Sequence, residues 1–398
     1  MKRVLFVCSL YHPHVGGIET MVTELARFYR NQGLESVVLT KQWPTDLAAN
    51  DRYEGLPIYR VPSAKTDLEF GKLIDQVLEH EQALQADVVH VIGLRRPLPL
   101  IGLLLSRRWQ VPLIATVAGG EVPDTNDPAT QAVWDESMTT VRPVLDHAEV
   151  ITCVSEATRQ QLLVALPTVQ RTRTIYAGID LEMIVNVTPA ISRPKPYILS
   201  LRRLVPSKGI DTLIDAFATI APTHPTLTLV IAGEGPEKAS LKSQALQSGL
   251  ADRIHFIGSV PLEDGIGLLK SAVCTVVPSR SEGGGLVNVE AQAAGCPVLA
   301  SRVGGIPEYL HDDIGGLLFE SGNAEELAAL MDRLASDSTL CARLSQQGQE
   351  FAHQFDWKIL GHQYLDLYKE TENIELQPFT PNTSLSALLW EKLKGTPA

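Results

Sequence analysis

Short runs of aliphatic and β-branched residues recur along almost the whole chain, and a segment of helical period separates each run from the next. A strand that is apolar on both sides needs cover on both faces, so this alternation demands parallel sheets sandwiched between helices. Right-handed crossovers follow from strand twist. In the first half, strands are predicted at Arg3–Cys8, Ser36–Thr40, Pro57–Val61, Asp87–Val91, Pro112–Val117 and Val150–Val154. Helices are predicted between them at Ile18–Asn31, Leu68–Gln85, Pro99–Arg108, Pro128–His147 and Glu156–Ala165. The stretch Thr188–Pro196 then carries three prolines, which neither a helix nor a central strand tolerates, so it reads as a linker. Beyond it the rhythm restarts. Strands are predicted at Tyr197–Leu201, Thr226–Ala232, Ile254–Ile257, Ala272–Val277 and Pro297–Ser301, with helices at Gly209–Ile220, Pro236–Ser248, Glu263–Ser271, Leu286–Ala294 and Ala324–Ala335.

The expected fold class is therefore α/β, with two doubly wound Rossmann-like domains over residues 1–188 and 189–352. A length of 398 residues suits two cores better than one. Two more helices are expected between Ser338 and Glu370, the last near Phe355–Lys369. The tail 371–398 is expected to be loosely attached, because Pro378 and Pro381 break it, although Leu385–Leu393 has the pattern of one or two amphipathic turns.

Composition narrows the function. A formal charge of −12 with no Lys/Arg block argues against nucleic acid as a partner. The five cysteines are scattered, mostly in apolar runs, and have no zinc-site spacing; they read as reduced thiols in a cytoplasmic protein. The N-terminal Met1–Cys8 reads as a first strand rather than a signal peptide, since its apolar run is too short. The longest apolar stretch, Pro97–Leu105, is well short of a membrane span. Its basic flanks within Arg95–Trp109 leave two readings: a buried crossover helix, which is the simpler, or weak peripheral docking on anionic lipid at the inner face of a membrane.

Open parallel sheets place ligands beyond the carboxyl ends of their strands. Three strand-to-helix turns carry suitable chemistry. After the first strand come Gly16 and Gly17, which let a phosphate approach the backbone at a helix start. After Tyr197–Leu201 come Arg203 and Lys208, five residues apart, suited to neutralise a leaving diphosphate without a metal. After Ala272–Val277 comes Ser281-Glu282-Gly283-Gly284-Gly285-Leu286-Val287, where a helix is predicted to begin near Gly285 and to offer its first N–H groups to an anion. Glu290 lies roughly 7.5 Å further along that helix at about 1.5 Å per residue, so one carboxylate is placed for a sugar and the other for ribose hydroxyls. Each feature also has a purely structural reading: solvated cations, a carboxylate complementing the helix dipole, a tight turn. Gly233-Glu234-Gly235-Pro236 is half of a dinucleotide fingerprint and lacks its third glycine. His90 is expected to be a satisfied strand-end histidine rather than a ligand of the site.

Taken together these residues resemble glycosyltransferase family 4, the GT-B-fold retaining glycosyltransferases, over about residues 1–370. The Glu282-x7-Glu290 spacing followed by Ala291-Gln292-Ala293-Ala294-Gly295-Cys296-Pro297-Val298 is that family's signature. Around it stand Pro13…Gly16-Gly17, Ser155-Glu156, Tyr176-Ala177-Gly178-Ile179-Asp180, Arg203-Leu204…Lys208-Gly209, Gly233-Glu234-Gly235-Pro236 and Phe256-Ile257-Gly258. The resemblance implies a nucleotide-diphosphate sugar donor, with UDP favoured, bound between two facing domains and transferred with retention to an acceptor hydroxyl. It implies a hexose or N-acetylhexosamine as the sugar, no bound metal, no tightly bound cofactor, and a crossover helix over 353–370 packing on the first domain. The acceptor, whether glycan, lipid-linked or small molecule, is not readable. Arg203 and Lys208 would bind the diphosphate and Glu282 would contact the transferred sugar. Glu290 would hold the ribose, and Gly283, Gly285, Leu286 and Val287 the phosphate and sugar oxygens. Val260 would lie near the base, and Gly16 and Gly17 would close the far wall.

Three positions depart from the family pattern. Ala118 stands where a histidine is common, and Gly284 stands where an aromatic is common, which is expected to widen the sugar pocket. Arg202 replaces a glycine and either adds a cation to the donor site or points away from it. Two other functions fit the same residues: a sugar-nucleotide epimerase of GT-B fold, which needs no acceptor, and a non-catalytic nucleotide-sugar-binding protein.

Overall fold

The computed structural model describes residues 1–394 apart from 15, 65, 96, 189–195, 373, 377 and 382. The chain forms two compact units, one of Met1–Ala177 with Trp357–Ala398 and one of Gly178–Asp356. Most of the expected Thr188–Pro196 linker lies outside the described residues.

In the first unit the elements run β1 (Arg3–Cys8), α1 (Gly17–Asn31), β2 (Glu35–Lys41), β3 (Asn50–Tyr53), β4 (Leu56–Val61), α2 (Asp67–Glu79), α3 (Glu81–Leu84) and β5 (Val88–Ile92). They continue with α4 (Leu98–Trp109), β6 (Leu113–Val117), α5 (Ala129–His147), β7 (Val150–Cys153), α6 (Glu156–Ala165) and β8 (Thr172–Thr174). The second unit holds α7 (Leu181–Asn186), β9 (Tyr197–Leu201), α8 (Ile210–Ile220), β10 (Thr228–Ala232), α9 (Lys238–Gln247), β11 (Ile254–Gly258) and α10 (Leu262–Leu269). Then follow β12 (Cys274–Val277), α11 (Leu286–Ala293), β13 (Val298–Ser301), α12 (Ile306–Tyr309), β14 (Gly316–Phe319), α13 (Ala324–Ser336) and α14 (Ser338–Ala352). The chain returns to the first unit as α15 (Trp357–Thr371) and α16 (Ser384–Lys394).

The strand orders are β3-β4-β2-β1-β5-β6-β7-β8 and β11-β10-β9-β12-β13-β14. Every ladder is parallel except β3–β4, an antiparallel pair at the edge of the first sheet. Both sheets thus reverse direction once, between β1 and β5 in the first and between β9 and β12 in the second. A crevice at the carboxyl edge opens at such a reversal, because the flanking crossovers diverge to opposite faces. The α/β, doubly wound class read from the sequence holds for both units.

Several elements differ from expectation. The helix predicted over Leu68–Gln85 breaks at His80 into α2 and α3. Strand β10 starts at Thr228 rather than Thr226. Strand β3 carries four polar, mostly exposed residues and exists through its pairing with β4. The tail is not loosely attached: α16 packs on α2, α4 and α5, burying Leu389 and Leu393 completely or nearly so. Lys392 donates to the Gly71 carbonyl at 2.6 Å and pairs with Asp75, and Arg108 reaches the Leu393 carbonyl at 2.8 Å. This corrects the lipid-docking reading of Arg95–Trp109. Leu98–Leu105 are buried, Arg107 is paired with Glu149 at 2.8 Å, and Arg108 with Glu81 at 2.6 Å, so neither the apolar centre nor these cations face outward.

Helix α15 packs on α1, both within the first unit. Tyr364 and Tyr368 are fully buried there. The Tyr368 hydroxyl lies 2.6 Å from His90 Nδ1, and Thr116 Oγ1 lies 2.6 Å from His90 Nε2. Burial holds His90 at about 3, far below the usual histidine value, so it is a neutral, fully satisfied core group.

Candidate donor site

The carboxyl edge of the second sheet carries the chemistry. Strand β9 ends at Leu201, and the chain runs through Arg202 and Arg203 into a single 3-10 turn, Pro206–Lys208. Gly209 ends that turn with φ 64°, and a Cβ there would lie 1.9 Å from the Pro278 carbonyl oxygen. Only glycine lets this turn press against the end of the neighbouring strand β12. Arg280 locks the contact: its backbone N–H donates to the Ser207 carbonyl at 2.8 Å and its guanidinium pairs with Asp211 at 2.6 Å. Lys208 is thereby held beside the loop that follows β12.

That loop leads into α11, whose N-cap, Gly285, has φ 85° and no side-chain capping bond. A left-handed φ at the cap suits glycine. The first turn, Leu286 and Val287, is half-buried and contains no acidic residue. Its uncapped N–H groups carry the positive end of the helix dipole. Gly283 precedes it in the same loop.

Glu282 is the hub. Its Oε2 accepts from Lys208 Nζ at 2.9 Å, from Ser279 Oγ at 3.2 Å and from Arg202 Nη2. Burial opposes its ionisation, but Arg202 and Lys208 outweigh that and hold it at about 2. Lys208 is itself pushed below the usual lysine range. Burial is the main cause, Glu282 opposes it, and Arg202 and Arg203 add to it. Arg203 is exposed and has no ionic partner among the described residues. Glu290, half-buried on α11, has no hydrogen-bond or ion-pair partner there either, and burial raises it to about 7 while Arg202 pulls the other way. Val260 lies between β11 and α10 at the same sheet edge. The arrangement is a cation-rich turn beside an open helix start, flanked by two carboxylates of opposite ionisation tendency. Cations and free helix N–H groups of this kind can bind an anion, and they gather here in a chain whose overall charge is −12.

Arg203, Lys208, Glu282, Gly283, Gly285, Leu286, Val287, Glu290 and Val260 thus all lie at one edge of one sheet. Gly16 and Gly17 belong to the first unit, as the N-cap and first residue of α1. Sequence reasoning left Arg202 undecided and missed Ser279; the structure puts both on Glu282. The expectation that Gly284 widens a pocket is corrected, since a Cβ there would meet the buried Tyr309 ring at 2.7 Å. Glu121, also missed, is buried in the first unit, where its carboxylate accepts the Leu94 N–H at 3.1 Å and the Ala118 N–H at 3.0 Å. Among the described residues no cluster of His, Cys, Asp and Glu suits a metal ion, and no helix is long and apolar enough to cross a membrane.

Comparison with known families decides the class. Residues 188–351 match the model for glycosyl transferases group 1, and residues 15–183 match that for glycosyltransferase family 4. The chain belongs to the group 1 and family 4 glycosyltransferases. Its two Rossmann-like units are those of the GT-B fold. This glycosyltransferase is 27% identical over 352 residues to an uncharacterized glycosyltransferase of Methanocaldococcus jannaschii, covering 88% of this chain and 93% of that one. It is also 27% identical over 390 residues to a GDP-mannose-dependent alpha-(1-6)-phosphatidylinositol monomannoside mannosyltransferase of Mycobacterium tuberculosis, covering 93% and 98%. Among solved structures it resembles Anabaena HepE, in complex with UDP and glucose, with a TM-score of 0.73, 21% identity, and 93% and 100% of the two chains covered.

Proposed function

We propose that the edge of the second sheet binds a nucleoside-diphosphate sugar and that the enzyme transfers a hexose or N-acetylhexosamine from it to an acceptor hydroxyl with retention at the anomeric carbon. The observation that carries this reading is the cation imbalance. Arg202, Arg203 and Lys208 crowd one turn, and among the described residues Glu282 is the one carboxylate paired with any of them. A diphosphate placed over Lys208, Arg203 and the start of α11 relieves that crowding. As the glycosidic bond to phosphate breaks, the same groups stabilise the charge developing on the leaving oxygen. Glu282 and Glu290 flank the phosphates rather than touch them, one toward the sugar and one toward the ribose.

No side chain at this edge serves as a nucleophile in the reading we favour. The acceptor attacks from the face the diphosphate leaves, and the departing phosphate oxygen takes the acceptor proton. Two cations and a helix start supply the charge that a metal supplies elsewhere. The nucleoside diphosphate is UDP or GDP: HepE was solved with the first, and the mycobacterial relative is named for a donor with the second.

The test is a panel of UDP- and GDP-linked hexoses and N-acetylhexosamines. Each is incubated with sugar, inositol-phosphate and lipid-linked acceptors, with and without EDTA, and the products are read by NMR. The expected result is one donor whose sugar moves to an acceptor with its anomeric configuration kept, at a rate EDTA leaves unchanged. Conversion of the donor to its epimer without an acceptor, or tight binding with no turnover on any acceptor, would overturn it.

A further inference from the structure

Arg202 is the least expected residue at this edge. Its side chain is only 5% exposed, which is unusual for an arginine outside a fully paired site. Its backbone is fixed, with the N–H donating to the Ala232 carbonyl at 3.0 Å, so the side chain starts from a rigid strand end. One terminal nitrogen, Nη2, reaches both Ser279 Oγ, at 2.7 Å, and Glu282 Oε2. Oε2 therefore gathers donors from Arg202, Lys208 and Ser279. Oε1 of the same carboxylate has no partner among the described residues.

The charges can be assigned once a donor is present. A diphosphate needs cations and, on the reading above, takes Lys208 and Arg203. Lys208 is shared with Glu282 before that happens, so donor binding draws one counter-charge away from Glu282. A carboxylate this enclosed is costly to leave unpaired. Arg202 is the group that stays.

We propose that Arg202 is a positioning residue, which grips Glu282 through Oε2 while Lys208 turns to the diphosphate and so leaves Oε1 free to accept from a hydroxyl of the transferred sugar. This rests on the donor-site reading above. Arg202 acts through Glu282 and touches no reacting atom. The bridging of Ser279 and Oε2 by one nitrogen fixes the carboxylate in orientation as well as charge. The charged and titratable groups around Glu282 are Arg202 and Lys208 in contact, Arg203 beyond Lys208, and Glu290 on α11, which Arg202 also influences.

The experiment is a double-mutant cycle of Arg202→Ala and Glu282→Gln on the full-length enzyme, with donor turnover measured from pH 4 to 9, and with UDP and GDP binding measured alongside. Arg202→Ala is expected to lower kcat about 10- to 100-fold, with a smaller change in donor KM, because a misplaced positioning group costs orientation. In the Glu282→Gln background the same change adds less than about threefold, because a group acting through Glu282 has nothing left to position. Arg202→Lys keeps the charge and recovers part of the rate, which separates this role from a folding defect.

Multiplicative losses in the cycle overturn the proposal. So does a loss of UDP or GDP affinity as large as that of Lys208→Ala, which would make Arg202 a phosphate ligand. Failure of the donor-site reading looks different: the unmodified enzyme then binds neither UDP nor GDP, whatever stands at 202.

Discussion

The two sheets reverse direction at equivalent places, yet the carboxylates near the two reversals do opposite things. In the first unit Glu121 accepts from the backbone N–H groups of Leu94 and Ala118, which follow β5 and β6. Neutral amides offset burial only in part, and the carboxyl is pushed up to about 7. In the second unit Glu282 is met by two cations and held at about 2. Glu121 is a brace that ties two loops through their backbone N–H groups. Glu282 holds Lys208 in a pairing that an incoming anion can take over. The fold supplies the address twice, and only at the second do cationic side chains meet the carboxylate.

The comparison breaks most readily at Lys208. Lys208→Ala is expected to cost about 100- to 1,000-fold in turnover, as loss of one charge-stabilising donor does, with little change in Tm. Glu121→Ala is expected to cost stability more than rate. A larger loss of turnover for Glu121→Ala than for Lys208→Ala, both measured below their melting temperatures, would reverse the assignment.

The first unit is also closed by the C-terminal part of the chain, which docks on it as α15 and α16. Leu389→Ala opens space beneath α16 and is expected to destabilise by at least about 2 kcal/mol, read from urea denaturation. An unchanged midpoint would mean that α16 is not docked.

The smallest expected effect separates the two glutamates by pH. Below about 4.5 Glu121 is protonated both folded and unfolded. Between about 4.5 and 7 the unfolded chain ionises it and the folded chain does not, so its contribution to stability falls as pH rises. Glu282 runs the other way: its contribution is full above about 4.5 and is lost as pH falls toward 2. Urea denaturation from pH 3 to 8 should therefore show Glu121→Gln gaining on the unmodified protein as pH rises and Glu282→Gln gaining as pH falls. Parallel curves for both variants would remove the distinction.

Much of this was legible in the sequence, for a physical reason. Strands buried on both faces leave unbroken apolar runs, so β1, β5, β6, β9 and β12 stand out. Strand β3 does not, because Asn50–Tyr53 is polar and owes its conformation to β4. Strand β14 begins at a glycine and lasts four residues, too short to show a period. Helix α16 lies between prolines and a short tail, and its docking depends on the faces of α2 and α4, which no local pattern reveals. Lys208, Glu282 and Glu290 were legible as candidates, because strand-to-helix turns are where ligands bind in such sheets. Arg202 and Arg203 look alike as neighbours in sequence. Only tertiary structure buries the first among Ser279 and Glu282 and leaves the second exposed. Tyr309 behind Gly284 and the Leu94 amide on Glu121 are likewise contacts between segments distant in sequence.

The central claim is that Lys208, Arg203 and the start of α11 together hold a diphosphate. Isothermal titration of UDP and GDP into the unmodified enzyme, Arg203→Ala and Lys208→Ala tests it most directly. For whichever nucleotide binds, the account predicts at least about a tenfold weaker Kd in each variant, the worth of one charge-assisted hydrogen bond to phosphate. An unchanged Kd in both variants would contradict it.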